Sequence, residues 1–324
     1  MTHIYCTLGP ACSSLACLEA MVLQGLQGVR LNLSHASLEQ EEDLVATVRS
    51  AFEHCGKPAQ LLVDLQGPEL RVGAFEEPVD IVQGNYIDLD RLRLPEAVAE
   101  VLQPGQELLL DDGKISIVVE GGGVAFAKRS GLLTSHKSVS LPGVDIELPC
   151  LTETDKANIA AAKKFGVAAV MQPFVRSRAD LETVRAALDA AGASDVKLMA
   201  KIENLEGIEH LPELLEVADE CIIARGDLGN AMPLWELPAA QKHIAAICRE
   251  AGKPFMVATQ LLSTMETASV PTRAEVSDIF NAVLDGASGV MATGETAVGK
   301  HPIEVVRYLA NTVRSAEQFL AQSC

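Results

Sequence analysis

Aromatic residues are scarce in this chain. Phe, Trp and Tyr together make up 4% of its 324 residues, although hydrophobic residues as a whole reach 48%. The core must therefore come from Ala, Val, Leu and Ile, the composition of buried parallel strands covered by helices. Positive charge is also short: 26 Lys and Arg stand against 44 Asp and Glu, a formal net charge of −18, and no basic block offsets it. That balance argues against nucleic acid or a membrane surface as a partner. No apolar run reaches membrane-spanning length, and the opening MTHIYCTLGP reads as a strand, without the charged-then-apolar layout of a secretory signal. The eight cysteines (Cys6, Cys12, Cys17, Cys55, Cys150, Cys221, Cys248 and Cys324) include no CxxC pair, and several lie in apolar runs. They read as reduced core thiols of a cytoplasmic protein. Neither GxGxxG nor a GxxxxGK(S/T) motif occurs, which weakens a dinucleotide fold or a P-loop.

What is present is organised around Lys201 to Gly229, KIENLEGIEHLPELLEVADECIIARGDLG. Lys201 and Glu203 close an apolar run two residues apart, a spacing that puts both side chains on one face of a strand. A helical piece follows, with Leu211, Leu214, Leu215 and Ala218 on one side and Pro212 suited to its first turn. A second apolar run, Cys221 to Ala224, breaks into Arg225-Gly226-Asp227-Leu228-Gly229. Two carboxylates and a lysine just after parallel strands suit a divalent cation and a phosphoryl group. A surface salt-bridge cluster beside a turn glycine is the plainer alternative.

Strands are expected at His3 to Thr7, Gly28 to His35 and Gln60 to Leu65, and then near Val167 to Met171, Lys197 to Ile202, Cys221 to Ala224, Phe255 to Ala258 and Gly289 to Ala292. Helical periodicity lies between them, with Ser13 and Ser14 placed to cap the first helix. In the second strand Arg30, Asn32 and Ser34 alternate with Val29, Leu31 and Leu33. Polar side chains facing inward there are costly unless a ligand or ion meets them. An exposed amphipathic edge strand is the other reading. From about Gly73 to Lys137 the rhythm changes to short alternating runs with turns at Pro104-Gly105, Asp111-Asp112-Gly113 and Gly121-Gly122-Gly123, and one minor helix near Glu96 to Leu102. The expected fold is an α/β (β/α)8 TIM barrel, residues 1–72 and 138–324, with a small mostly-β lid domain, 73–137, inserted after the third strand. The strand ends then gather Thr7, Pro10, Arg30, Asn32, Ser34, His35, Asp64, Phe174, Arg176, Lys201, Glu203, Arg225, Asp227, Thr259, Gln260, Thr293, Gly294 and Glu295 at one end.

The stretches CTLGPAC, VRLNLSH, LLVDLQGPELR, DDGKIS, KSVSLPGVDIELP, LTETDK, KIENLEG, ARGDLG, PLWELPAAQK, KPFMVATQLLSTM, PTRAEVSD and MATGETAVGKHPIE run through nearly the whole chain. Together they resemble the pyruvate kinase family. The resemblance implies transfer of the phosphoryl group of phosphoenolpyruvate to ADP, giving pyruvate and ATP. It implies that Glu203 and Asp227 hold Mg2+ or Mn2+, and that Lys201 and Arg30 contact the phosphoryl group. Lys suits that place as a compact point charge. It puts Gly226 and the following N–H groups at the substrate carboxylate, and Pro10, His35, Arg71 and Lys137 at the nucleotide. Asn32, Ser34, Asp64 and Leu65 match the K+ ligands, and Glu69 matches the potassium-dependent form of the family. Thr259 matches a residue beside the enolpyruvate carbon. A free hydroxyl is a weak acid, so Thr259 reads as orienting a water relay with Thr293 and Glu295 behind it; a helix cap is its plainer role. His35 has the alternative of a core or loop histidine.

The departures are Leu65-Gln66, Ala36, Gln172-Pro173-Phe174, a shortened lid, and an end at Cys324 where the family continues into a C-terminal regulatory domain. On that reading the expectation is hyperbolic kinetics without activation by sugar phosphates or AMP, and a homodimer through the barrel helices after Arg273 and Pro302 rather than a tetramer. A metal-dependent pyruvate aldolase or lyase would keep Glu203, Asp227 and Arg30 but would not need Arg71 or Lys137. A catalytically silent pyruvate- or nucleotide-binding regulator is the third possibility.

Overall fold

The computed structural model describes residues 1–34, 36–144, 146 and 148–323. The chain starts with His3–Thr7 (β1), Leu15–Gln24 (α1), Gly28–Asn32 (β2), Glu42–His54 (α2) and Gln60–Asp64 (β3). An excursion follows: Val79–Ile81 (β4), Tyr86–Asp88 (β5), Glu96–Ala99 (α3), Glu107–Leu110 (β6), Ile115–Gly121 (β7), Val124–Arg129 (β8), Gly131–Leu133 (β9) and Val139–Ser140 (β10). The strand–helix alternation resumes with Glu153–Ala161 (α4), Ala169–Gln172 (β11), Arg178–Ala190 (α5), Lys197–Ile202 (β12), Leu205–Glu209 (α6), Leu211–Val217 (α7) and Glu220–Ala224 (β13). Last come Arg225–Ala231 (α8), Leu237–Glu250 (α9), Phe255–Ala258 (β14), Arg273–Leu284 (α10), Gly289–Ala292 (β15), Gly294–Ala297 (α11) and Pro302–Ser323 (α12).

Eight of the strands close a barrel, in the order β1-β2-β3-β11-β12-β13-β14-β15 and back to β1, all pairs parallel. The (β/α)8 barrel expected from the strand count is the fold found. The fourth barrel strand starts at Ala169 rather than Val167, because the Val167 N–H still closes the end of α4 on Ala162 O at 3.0 Å. Several helix starts are set by local chemistry. Thr152, Ser177 and Thr272 each form a reciprocal capping box, with Asp155, Asp180 and Glu275.

The barrel interior explains the shortage of aromatics. It is filled by Leu62, Ile222, three alanines and Met171, Met199, Met256 and Met291, with Tyr5 as its one ring. Unbranched methionines fill an irregular, tapering space without rings. Inward residues recur every second position, so the same rows continue toward the strand ends. Leu62 is followed on its face by Asp64, Met199 by Lys201 and Glu203, and Tyr5 by Thr7. Beneath this core, Tyr5 Oη donates to Gln60 Oε1 at 2.7 Å, and Glu220 accepts from Ser288 Oγ at 2.7 Å. Burial, and then the charge of nearby Glu220, pushes the Tyr5 hydroxyl pKa up. The Glu220 carboxyl is likewise pushed up, chiefly by burial.

The compact units divide at Gly67/Pro68 and at Pro149/Cys150, with residues 229–233 grouped with 68–149. The inserted unit holds a five-stranded sheet, β10-β6-β7-β8-β5, and the pair β4-β9. Its core is aliphatic, including Ile81, Leu92, Leu108, Leu110, Ile115 and Ile117. Pairing within it reaches past 73–137: Val72 N donates to Lys137 O, and Val139 pairs with Leu110. Its minor helix ends at Ala99.

Candidate active site

At the carboxyl ends of the barrel strands, Asp64 is the meeting point of two cations. Arg30 reaches its Oδ2 with Nε at 2.8 Å and Nη2 at 2.5 Å, and Lys201 Nζ lies 3.2 Å from the same oxygen. The register that pairs Asn32 with Asp64 puts β2 and β3 side by side for this contact. Arg30 Nη1 also donates to Thr7 Oγ1 at 3.0 Å. Lys201 is 2.9 Å from Glu203 Oε1, and both side chains are largely buried, 12% and 1% exposed. Glu203 Oε2 accepts the Phe174 N–H at 2.8 Å, with Phe174 in the left-handed region at φ 51°. A backbone strained in that way lies where a side chain must be held in place.

Burial alone would lower the Lys201 pKa. Asp64, Glu203 and Asp227 outweigh both that and the repulsion of Arg30, so the ammonium is held above the ordinary lysine value. The result is a permanently charged, buried cation in an acidic protein, close enough to Asp227 to feel its charge. Such an arrangement stabilises negative charge that develops beside it.

Two groups of oxygens could hold metal ions. Glu203 and Asp227 offer hard carboxylate donors of the kind magnesium and manganese take, with the balance of the shell left to substrate and water. Among the described residues no group of three or more His, Cys, Asp or Glu that could hold a metal ion occurs. The second group is Asn32, Ser34, Asp64 and Leu65. The Ser34 N–H and hydroxyl both donate to Asn32 Oδ1, at 3.2 and 2.8 Å. Asp64 Oδ1 is buried with no hydrogen-bond partner. A buried carboxylate oxygen left so is costly, and a monovalent cation beside it would satisfy the missing contact. The residues present therefore fit potassium.

Across the mouth, Thr259 and Gln260 follow β14 with φ of 69° and 54°, both left-handed. The Gly226 N–H donates to Thr259 Oγ1 at 2.7 Å. The hydroxyl thus closes one of the open amides at the start of α8 from a distant segment. Glu295 is spent elsewhere: its Oε1 accepts the Leu262 N–H at 2.9 Å and its Oε2 the Thr293 N–H at 2.7 Å. Pro10 is exposed on a loop whose neighbour Gly9 admits no side chain, because a Cβ there would sit inside the Ala297 backbone.

A comparison with known families settles the class, since the family model described as pyruvate kinase, barrel domain, matches residues 1–306. The chain belongs to the pyruvate kinase family. A pyruvate kinase of Corynebacterium efficiens is 42% identical, over 98% of this chain and 70% of its own length. One from Geobacillus stearothermophilus is 36% identical over 98% of this chain and 57% of its own. The human pyruvate kinase PKLR is 39% identical over 98% and 60%. Pyruvate kinases are phosphotransferases, and the charged mouth described above has the groups such chemistry requires.

For a pyruvate kinase barrel, Lys201, Arg30, Glu203 and Asp64 stand in one hydrogen-bonded cluster, while Thr259 and Gly226 form a second. Arg71 and Lys137 belong to the inserted unit, where Arg71 pairs with Ser138 across an antiparallel bridge. Each has a carboxylate partner there. Arg71 Nη2 is 2.7 Å from Glu69 Oε2, and Lys137 Nζ is 2.7 Å from Asp111 Oδ1. His35 lies outside the described residues. Arg225 had no role in the sequence beyond its place in ARGDLG, yet it is buried and makes five polar contacts. Its charge in an apolar run's wake was the only signal.

Among the described residues, no helix is long and apolar enough to cross a membrane.

Proposed function

We propose that this site transfers the phosphoryl group of phosphoenolpyruvate to ADP, yielding pyruvate and ATP. The observation that carries the reading is the buried Lys201 ammonium held between Asp64 and Glu203, beside Arg30. In phosphoryl transfer negative charge spreads over the migrating group, and fixed positive charge is the main help a protein can supply. Lys201 and Arg30 give that charge. Glu203 and Asp227 hold the divalent metal, Mg2+ or Mn2+, which when bound neutralises substrate charge and acts as a Lewis acid. Asn32, Ser34, Asp64 and the Leu65 backbone oxygen hold potassium. The family generally needs both kinds of ion.

The substrate carboxylate is received at the start of α8 by the backbone N–H groups that follow Gly226, from Asp227 on, where an anion is favoured. Thr259 stands next to the carbon that takes up a proton once the enolate has formed. Its hydroxyl orients water there rather than giving the proton itself. As residues that contact the nucleotide we assign Arg71 and Lys137 of the inserted unit and, in the barrel, Pro10 and His35. Within the inserted unit Glu69 and Asp111 pair with those two cations.

The test is a coupled assay of pyruvate formation with phosphoenolpyruvate, ADP, magnesium and potassium. Turnover that needs all four supports the reading. Binding of phosphoenolpyruvate without turnover would leave a silent binding protein, and aldol cleavage of a pyruvate adduct in place of transfer would indicate the lyase.

A further inference from the structure

Thr259 and Gln260 are consecutive non-glycine residues in the left-handed region, and Thr259 is β-branched as well. Such residues resist that conformation, so something outside the segment must impose it. The structure shows what does. Arg225, buried at the start of α8, donates to Thr259 O with Nε at 3.2 Å and Nη2 at 2.8 Å, and Nη2 also donates to Gln260 O at 3.0 Å. The other arm of the guanidinium is anchored, with Nη1 2.6 Å from Asp278 Oδ2 of α10 and 3.4 Å from Gln241 Oε1 of α9. The planar fork grips two successive carbonyls at once, which an ammonium cannot do. The strained turn in turn aims Thr259 Oγ1 at the Gly226 N–H, 2.7 Å away.

We infer that Arg225 is a positioning residue for the proton-transfer half of the reaction. It holds Thr259 at the one backbone conformation that sets its hydroxyl against the substrate pocket. Lys201 and Arg30 sit in the separate cluster around Asp64, so phosphoryl transfer depends far less on Arg225. The inference rests on the function proposed above. In the step concerned, an O–H bond of water breaks as a C–H bond forms at the methylene carbon of the enolate, the enolate becomes the ketone, and the hydroxide left is neutralised by a proton from bulk solvent. In reverse, a methyl proton of pyruvate leaves and solvent replaces it.

The experiment measures both halves on Arg225→Lys and Asp278→Asn, with magnesium and potassium present. One readout is exchange of the pyruvate methyl protons in D2O, followed by NMR. The other is single-turnover formation of ATP from phosphoenolpyruvate and ADP by rapid quench. Arg225→Lys is expected to slow exchange relative to ATP formation by at least about tenfold, since a misplaced group of this kind can cost up to about a hundredfold. Asp278→Asn should shift the same ratio in the same direction and less. Its side chain is 35% exposed, so this variant decides the matter if Arg225→Lys does not fold. An unchanged ratio in the folded variants, or an equal fall in both halves, overturns the inference. A wild-type protein that shows neither reaction overturns instead the function on which it rests.

Discussion

Replacing Lys201 with methionine removes the ammonium while keeping an unbranched chain of similar length. The structure sets the size of the effect. Lys201 Nζ lies 2.9 Å from Glu203 and 3.2 Å from Asp64, in a largely buried site. At an effective dielectric of about 20, unit charges near 3 Å interact by roughly 5 kcal/mol. Loss of a single neutral donor to a developing anion costs about 10²- to 10³-fold. A full charge should cost more, so kcat is expected to fall on the order of a thousandfold or beyond, about 4–5 kcal/mol in the barrier. The fold should also lose stability. Asp64 keeps both contacts from Arg30, whereas Glu203 keeps only the neutral Phe174 N–H. Glu203 is thus left buried without the cation that faced it, and the expected loss of stability is about 3–5 kcal/mol, so the assay is run well below the melting temperature of the variant. The assay is coupled pyruvate formation at saturating substrates, beside pyruvate methyl exchange, which should survive in part. A folded variant with kcat within tenfold of wild type would falsify the role given to Lys201.

Four further outcomes are expected. Asp64→Asn should abolish activation by potassium as well as lower kcat, because it weakens the buried oxygen that lacks a partner; activity of the wild type in a tetramethylammonium buffer without potassium, equal to that with it, would refute the cation site. Glu69→Lys should raise the KM for ADP, because Arg71 loses its carboxylate; an unchanged KM in ADP titrations would count against Arg71 at the nucleotide. Gly226→Ala should leave the melting temperature nearly unchanged, since a Cβ there meets Thr259 only at ordinary contact distances from 3.5 Å; the loss should appear in phosphoenolpyruvate binding, and wild-type KM would count against the carboxylate site. Glu220→Gln tests the other end of the barrel. Burial raises the folded pKa of this carboxyl, so its contribution is fully present below the ordinary glutamate value of about 4.3 and is lost as pH rises through the raised value. The variant should melt close to wild type near pH 4 and higher than wild type at pH 8; a constant difference across that range would refute the assignment.

Much of the site was legible because strand geometry has a period of two. Lys201 and Glu203 had to share a face, as did Arg30 and Asn32, once each was placed at the end of a strand of a parallel sheet; the strand expected to run on to His35 stops at Asn32, and Ser34 lies in the bend that follows. Eight apolar runs alternating with helical periodicity implied the barrel, and the barrel implied that strand ends converge. Turn signals from Pro104-Gly105 to Gly121-Gly122-Gly123 marked the inserted unit. The motifs from CTLGPAC to MATGETAVGK carried the family. All of this depends on residue type and spacing along the chain, and the amino-acid order alone holds it.

The partners within the site were decided only in three dimensions. That Asp64 serves Arg30 and Lys201 through one oxygen and leaves the other bare follows from the lateral register of β2 and β3 and from the closure of the barrel. Spacing along the chain does not contain such a register. Nor does residue type announce a left-handed Thr259 and Gln260, since neither is a glycine. Their conformation is imposed by Arg225, anchored on α9 and α10. Local propensity determined the elements, whereas the orientation of Thr259 and the unmatched oxygen of Asp64 arise where distant segments meet, because there tertiary contacts outweigh what each segment prefers by itself.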